Sequence, residues 1–236
     1  MKKLAVFGAS GHGKVVVDIA LQLGWDVVHF YDDAWPTRSR LEEWMIHGSF
    51  FTLLQGVNYY DGVVVAIGNN NVRSDKLKDL VSHGAKLPTL VHPNAVVSRF
   101  AKVEEGCVVV AGAVINAFAR VGRGCIVNTG STIDHDCQLG ECVHIAPGAN
   151  ISGDVTIGDR SWVGVGASVR QGIRIGEDVM IGAGSVVVSN PLSNSIVAGV
   201  PARSLKATGD VKHQDVRDTA SGSSRKMGGV NVEEKS

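Results

Sequence analysis

His135 stands between two carboxylates in Ile133-Asp134-His135-Asp136-Cys137. A carboxylate beside an imidazole raises its basicity from a reference near 6.5 and stabilises the imidazolium formed on proton uptake. That is the chemistry of a general base, typically worth about 10² to 10⁴ in rate. The same five residues also describe an ordinary solvated histidine among acids, and the motif alone does not separate the two. His144, nine residues further on, reads by itself as a solvated corner residue. A zinc site needs three protein ligands, and two histidines in this stretch do not supply them, so no metal is expected.

A second set of residues suits an anionic ligand. In Gly8-Ala9-Ser10-Gly11-His12-Gly13, backbone amides at a helix start can approach a phosphate. The glycines are spaced G-x-x-G-x-G, which is not the dinucleotide fingerprint, and Val15 follows Lys14 where a P-loop needs a hydroxyl. A tight turn is therefore the competing reading of this loop. Asp32 and Asp33 could bind hydroxyls or a base edge, and Gly68-Asn69-Asn70 forms a third polar turn.

These groups need a frame. Lys3 to Phe7 reads as a buried strand, Gly8 to Gly13 as a loop and Lys14 to Leu23 as a helix. Val27 to Tyr31 and Val63 to Ile67 read as strands, and Val72 to His83 as a second helix. Alternating strands and helices predict a small parallel sheet with crossover helices. Ligands of such sheets bind beyond the carboxyl ends of the strands, where all three turns fall.

From Ala95 onward the chain repeats every six residues. The third residue of each hexad is aliphatic without exception, from Val97, Val103 and Val109 through Ile133 and Ile145 to Ile181 and Val187, over sixteen hexads with no insertion. Such a period marks a solenoid. Three hexads make a triangular coil of 18 residues, and stacked coils bury what one coil cannot. Two residues before each aliphatic stands a small or branched residue, the place of Cys107, Cys125 and Cys137, which assigns these thiols to packing. Cys142 falls at a corner and its role is open. Glycine follows the aliphatic at 122, 140, 158, 164, 176 and 182, and this reading makes those glycines the corners, where a positive φ is tolerated.

Composition narrows the field further. Twenty-three basic residues balance 23 acidic ones, and charged residues are only 19% of the 236. No global field draws the chain to nucleic acid or to an anionic membrane. No apolar stretch reaches the roughly 20 residues of a membrane span. The apolar run after Lys2-Lys3 breaks at Gly8, too early for a signal peptide, so free thiols and a cytoplasmic location are expected. Residues 206–236 are polar and aperiodic and read as a disordered tail.

Val6-Phe7-Gly8-Ala9-Ser10-Gly11-His12-Gly13, Asp32-Asp33, Ala66-Ile67-Gly68-Asn69-Asn70, Ile133-Asp134-His135-Asp136-Cys137 and Ala198-Gly199-Val200-Pro201-Ala202-Arg203 together resemble the bacterial nucleotide-sugar acetyltransferases. That family includes UDP-4-amino-sugar and GDP-perosamine N-acetyltransferases and proteins described as sialic acid O-acetyltransferases. The resemblance runs from Lys3 to about Leu205. It implies an α/β Rossmann-like nucleotide-sugar-binding domain at 1–92, followed by a left-handed parallel β-helix of hexapeptide repeats at 93–205. It implies a homotrimer with acetyl-CoA lying between neighbouring helices. By motif position His135 is the base and Asp136 the acid that raises its basicity, where the family usually has Glu. Ser10, Gly11, His12, Asp32, Asp33 and Gly68 match nucleotide-sugar contacts, and His144, Val165 and Ala183 match acetyl-CoA contacts. The expected reaction moves acetyl directly from acetyl-CoA to the amine of a nucleotide-linked 4-amino-4,6-dideoxy sugar, UDP-linked ahead of GDP-linked. Sialic acid O-acetylation and a noncatalytic trimeric nucleotide-sugar-binding scaffold are the alternatives.

Overall fold

The computed structural model describes residues 1–205, which form one compact unit; the segment read as a tail lies outside the described residues. In chain order the first part comprises β1 (Lys3–Phe7), α1 (Gly11–Gln22), β2 (Val27–Tyr31), the short antiparallel pair β3 (Arg40–Leu41) and β4 (Trp44–Met45), α2 (Phe50–Gln55), β5 (Gly62–Val65) and α3 (Asn70–Ser82). β1, buried from Leu4 to Phe7, is central in a parallel sheet of order β2-β1-β5. α1 starts three residues earlier than its apolar spacing predicts, with Ser10 as its N-cap. Glycine permits this early start, because a Cβ at Gly13 would lie 2.5 Å from the Gly8 carbonyl oxygen.

The solenoid begins at β6 (Leu90–Val91), which pairs with Val108–Val109. From there two-residue strands recur at every hexad, each opposite the strand 18 residues on, as Ile126 is opposite His144 and Val114 opposite Thr132. About six turns result, with three flat faces. The first face carries Thr132–Ile133, the second Gln138–Leu139 and the third His144–Ile145. All the third-position aliphatics are buried except Val97 and Val103, which sit in the first coil with no coil beneath them. On the third face the last register step shortens, so that Met180 lies opposite Ile196, and an antiparallel turn of chain, Ala202–Ser204, closes the stack.

The glycines that follow the aliphatics are not the positive-φ corners. That conformation falls two residues later, at the sixth hexad position, and is taken by Gly106, Gly112, Gly124, Gly130, Gly148, Gly166, Gly172 and Gly184 but also by Phe118, Asp136, Cys142, Asp154, Arg160 and Asp178. The fourth-position glycines answer a steric demand instead. A Cβ at Gly122 would lie 2.6 Å from the Gly140 oxygen of the next coil, and one at Gly158 2.6 Å from the Glu177 nitrogen.

Candidate active site

His135 projects from the corner between the first and second faces. Its side chain is 60% exposed, and Nδ1 is 2.8 Å from Oδ2 of Asp136. Asp136 occupies the left-handed corner position (φ 61°), and this places its carboxylate alongside the preceding ring. Asp134 is held on the other side, accepting from the His135 amide at 2.8 Å and from Asn116 Nδ2 at 2.9 Å. The bond to Asp136 and the charge of Asp134 raise the imidazole above its ordinary range. With Nδ1–H committed to the carboxylate, the tautomer assigned by this geometry leaves the Nε2 lone pair available. The ring lies across Gly153 of the next coil, where an added Cβ would fall 2.7 Å from Nε2.

His144 behaves in the opposite way. It is buried on the third face, its ring centroid 4.0 Å from that of Trp162 and its Nε2 3.2 Å from Asn128 Nδ2. Burial first, then the charges of Arg73 and His12, pushes it down to about 3. His12, in the first turn of α1, is pushed down to about 4 by burial and the charge of Arg73. Both rings are therefore neutral, and each keeps one buried nitrogen, His12 Nε2 and His144 Nδ1, without a partner among the described residues. The structure thus brings together His12, Gly68 and His144, two candidate acceptor-side positions and one donor-side position.

The other crevice residues fall at the carboxyl ends of β1, β2 and β5. Gly8 (φ 109°) packs so tightly that a Cβ would meet the Ala66 oxygen at 2.7 Å, whereas Cβ atoms at Gly11 and Gly68 would meet nothing within 4 Å. The loop is thus closed on its protein side and open where a ligand would approach. Ser10 makes no side-chain cap bond, which leaves its hydroxyl unspent. The Asp32 carboxylate is committed to the chain, accepting from the Ala9 amide at 2.7 Å and the Ala34 amide at 2.9 Å. Asp33 accepts from the Phe50 amide at 2.9 Å and faces Lys76 at 3.5 Å. Val165 and Ala183 form one exposed column at the corner between the third and first faces, joined by the Gly184 amide donating to the Val165 oxygen at 2.8 Å.

Sequence reasoning missed the residue that fastens the two regions. Arg73 of α3 is only 1% exposed. Its guanidinium donates to the carbonyls of Ile67 and Gly68 at the crevice, to Asn70 Oδ1, and to the carbonyls of Gly124 and Cys142 on two coils, at 2.7 to 3.0 Å. Asn70 adds bonds to the carbonyls of Arg160 and Ser161. Nothing in the helical spacing of Arg73 distinguishes it from a solvated arginine. Cys142 is accounted for by this junction, where its side chain packs with Leu77 and Leu80 and its carbonyl accepts from Arg73. Among the described residues no group of three His, Cys, Asp or Glu is placed to hold a metal ion, and no helix is long and apolar enough to cross a membrane.

A family profile described as the PglD N-terminal domain matches residues 3–80, and one described as bacterial transferase hexapeptide (six repeats) matches residues 154–189. The UDP-N-acetylbacillosamine N-acetyltransferase of Bacillus subtilis (strain 168) is 37% identical over 113 residues, 47% of this chain and 52% of that protein, so the match spans about half of this curated relative. Two solved structures are similar over nearly their whole length. The acetyltransferase domain of PglB from Neisseria gonorrhoeae FA1090, in complex with acetyl coenzyme A, is 41% identical with a TM-score of 0.83, covering 86% of this chain and 99% of that one. PerB from Caulobacter crescentus, in complex with CoA and GDP-perosamine, is 34% identical with a TM-score of 0.83, covering 87% of this chain and 98% of that one.

Proposed function

The chain belongs to the family of nucleotide-sugar N-acetyltransferases, and from that membership we propose that it moves acetyl from acetyl-CoA to the amine of a nucleotide-linked 4-amino-4,6-dideoxy sugar, UDP-linked ahead of GDP-linked. The observation that carries the chemistry is the exposed His135 with Nδ1 bound to Asp136. In this reading the neutral amine attacks the thioester carbonyl and Nε2 of His135 takes the proton that the nitrogen sheds. The C–S bond then breaks, and the CoA thiolate leaves with that proton. Asp136 and Asp134 stabilise the imidazolium in the interval. No acyl-enzyme is needed, since a neutral amine beside a base is already a competent nucleophile.

His144, Val165 and Ala183 belong to the acetyl-CoA side of this proposal, and Ser10, Gly11, His12, Asp32, Asp33 and Gly68 to the nucleotide-sugar side. Asp32 acts there by pinning the Gly8–Gly13 turn through Ala9, while the open faces of Gly11 and Gly68 and the free Ser10 hydroxyl meet the ligand. His135 and His144 are nine residues apart, half of an 18-residue coil, and so project from different sides of one solenoid. A single chain cannot turn both toward one acetyl group. A homotrimer resolves this, because a closed ring sets the His135 corner of one copy against the third face of the next. The division at 92/93 into a nucleotide-sugar-binding domain and a β-helix is part of the same proposal.

Thiol release from acetyl-CoA tests the activity directly, with UDP- and GDP-linked 4-amino-4,6-dideoxy sugars and CMP-linked sialic acid compared side by side. Release that requires the amino sugar is the expected result. Release with sialic acid alone would move the protein to O-acetylation, and none with any acceptor would leave a binding scaffold.

A further inference from the structure

The first coils of the solenoid carry an aromatic pair that the proposed chemistry has not used. Phe100 and Phe118 are 51% and 59% exposed, and their rings stack 5.4 Å apart at 26°. Both occupy the sixth hexad position, in the same column as Asp136. The coil of Phe118 lies directly beneath that of Asp136, whose amide donates to the Ala117 oxygen at 3.2 Å. Adjacent coils are about 4.8 Å apart, so the corner that carries Phe118 is one coil from the corner that carries His135 and Asp136.

Phe118 is also out of place for folding alone. Its φ is 64°, a left-handed conformation shared in this column by Asp136, Asp154 and Gly172, and among the described residues no other aromatic side chain takes it. A bulky side chain there is strained, and this one recovers little of that cost by burial. Three cations flank the pair. Arg99 lies 4.7 Å over the Phe100 ring, and Lys102 and Arg120 are opposite one another on neighbouring strands of the second face. All three are exposed and make no ion pair among the described residues. Like charges side by side on a sheet repel. Lys102 and Arg120 line a shallow cleft with Glu104, whose carboxylate is engaged by the Arg123 amide at 3.1 Å.

Resting on the acetyl transfer proposed above, we propose that Phe118, backed by Phe100, is the wall on which the apolar face of the acceptor sugar packs while His135 takes its proton, with Lys102 and Arg120 facing the diphosphate. In a nucleotide-linked 4-amino sugar the amine and the diphosphate stand on opposite sides of the ring. An amine at His135 therefore places the phosphates about one sugar width away, where the two cations lie. A deoxy sugar presents an apolar edge that an aromatic ring accepts and water does not.

Phe118→Gly suits the test because glycine fits the backbone at that corner. The expected result is a KM for the nucleotide amino sugar raised about tenfold, with KM for acetyl-CoA and the pH profile unchanged and Tm at or above that of the parent. Lys102→Ala with Arg120→Ala raises the same KM and flattens its dependence on salt. An unchanged acceptor KM in Phe118→Gly, against an active parent, overturns the wall. Loss of the oligomer by size exclusion with light scattering, with acceptor KM intact, also overturns it and makes the pair an interface between copies. A parent inactive with every nucleotide amino sugar is a different outcome, which removes the function reading itself.

Discussion

Two histidines on one solenoid, nine residues apart, have opposite electrostatic surroundings. His135 stands at an exposed corner among Asp134, Asp136 and Asp154, and its affinity for a proton is raised. His144 lies under Trp162 and near Arg73 and His12, and its affinity is driven down to about 3. They also hold different places in the repeat, His135 the fifth residue of its hexad at a corner and His144 the second, within the strand His144–Ile145. The neighbours differ: one corner meets solvent and carboxylates, whereas the other face meets α1 and α3 and is sealed by a buried guanidinium. The place in the hexad and the side chains around it together decide whether a ring stands exposed with its proton affinity raised or is buried and held neutral.

The sharpest way to break this contrast is to remove the exposed ring. His135→Ala is expected to lower kcat/KM by about 10² to 10⁴, and a variant keeping more than about a tenth of parental activity would strip His135 of the base role. Asp136→Asn comes next, with kcat/KM reduced by about one to two orders of magnitude within that same range. The free imidazole is the active form, so the rate rises with pH through the His135 ionisation, above the ordinary value of 6.5 because Asp136 raises it. Without that carboxylate the rising limb should move to lower pH, and a pH–rate profile of the two proteins reads the displacement. Gly153→Ala pushes a methyl group into the same ring and should cost about tenfold in kcat with little change in Tm, since the exposed imidazole can swing away. Paired kcat and melting measurements separate these effects.

The buried side of the contrast is tested by stability. His12 and His144 titrate near 4 and 3 in the folded chain against about 6.5 unfolded. The unfolded chain therefore binds more protons below about pH 6.5, and stability is lost as pH falls from there toward the folded values. The slope is up to about 1.4 kcal/mol per pH unit for each ring. Urea unfolding at pH 7 and pH 5 should show the loss, and His144→Gln should reduce the slope. An equal slope in parent and variant would mean that His144 does not titrate in this way.

The junction was the least legible part of the molecule. Arg73 sits in a polar helix of sequence NNVRSDKLKDLVS where periodicity gives it no special standing. Its burial follows from carbonyls contributed by residues 51 and 69 positions away, and no local pattern encodes such a meeting. The start of α1 was displaced for a related reason, since two glycines lower helix propensity locally while close packing against Gly8 favours the helix. The glycine columns were visible as a period, but their meaning divided between steric clearance at one hexad position and backbone conformation at another.

The amino-acid sequence by itself determined the solenoid, because a six-residue period with an invariant aliphatic position admits one way to bury those side chains. It also determined the parallel sheet and the His135–Asp136 pair, whose contact is between neighbours in the chain. Only the tertiary structure decided that His144 is buried and neutral, that Asp32 is spent on the Ala9 turn, and that Arg73 joins crevice to coil. Those outcomes depend on desolvation and on hydrogen bonds between segments far apart in the chain, and they exist only once the coils and helices have packed.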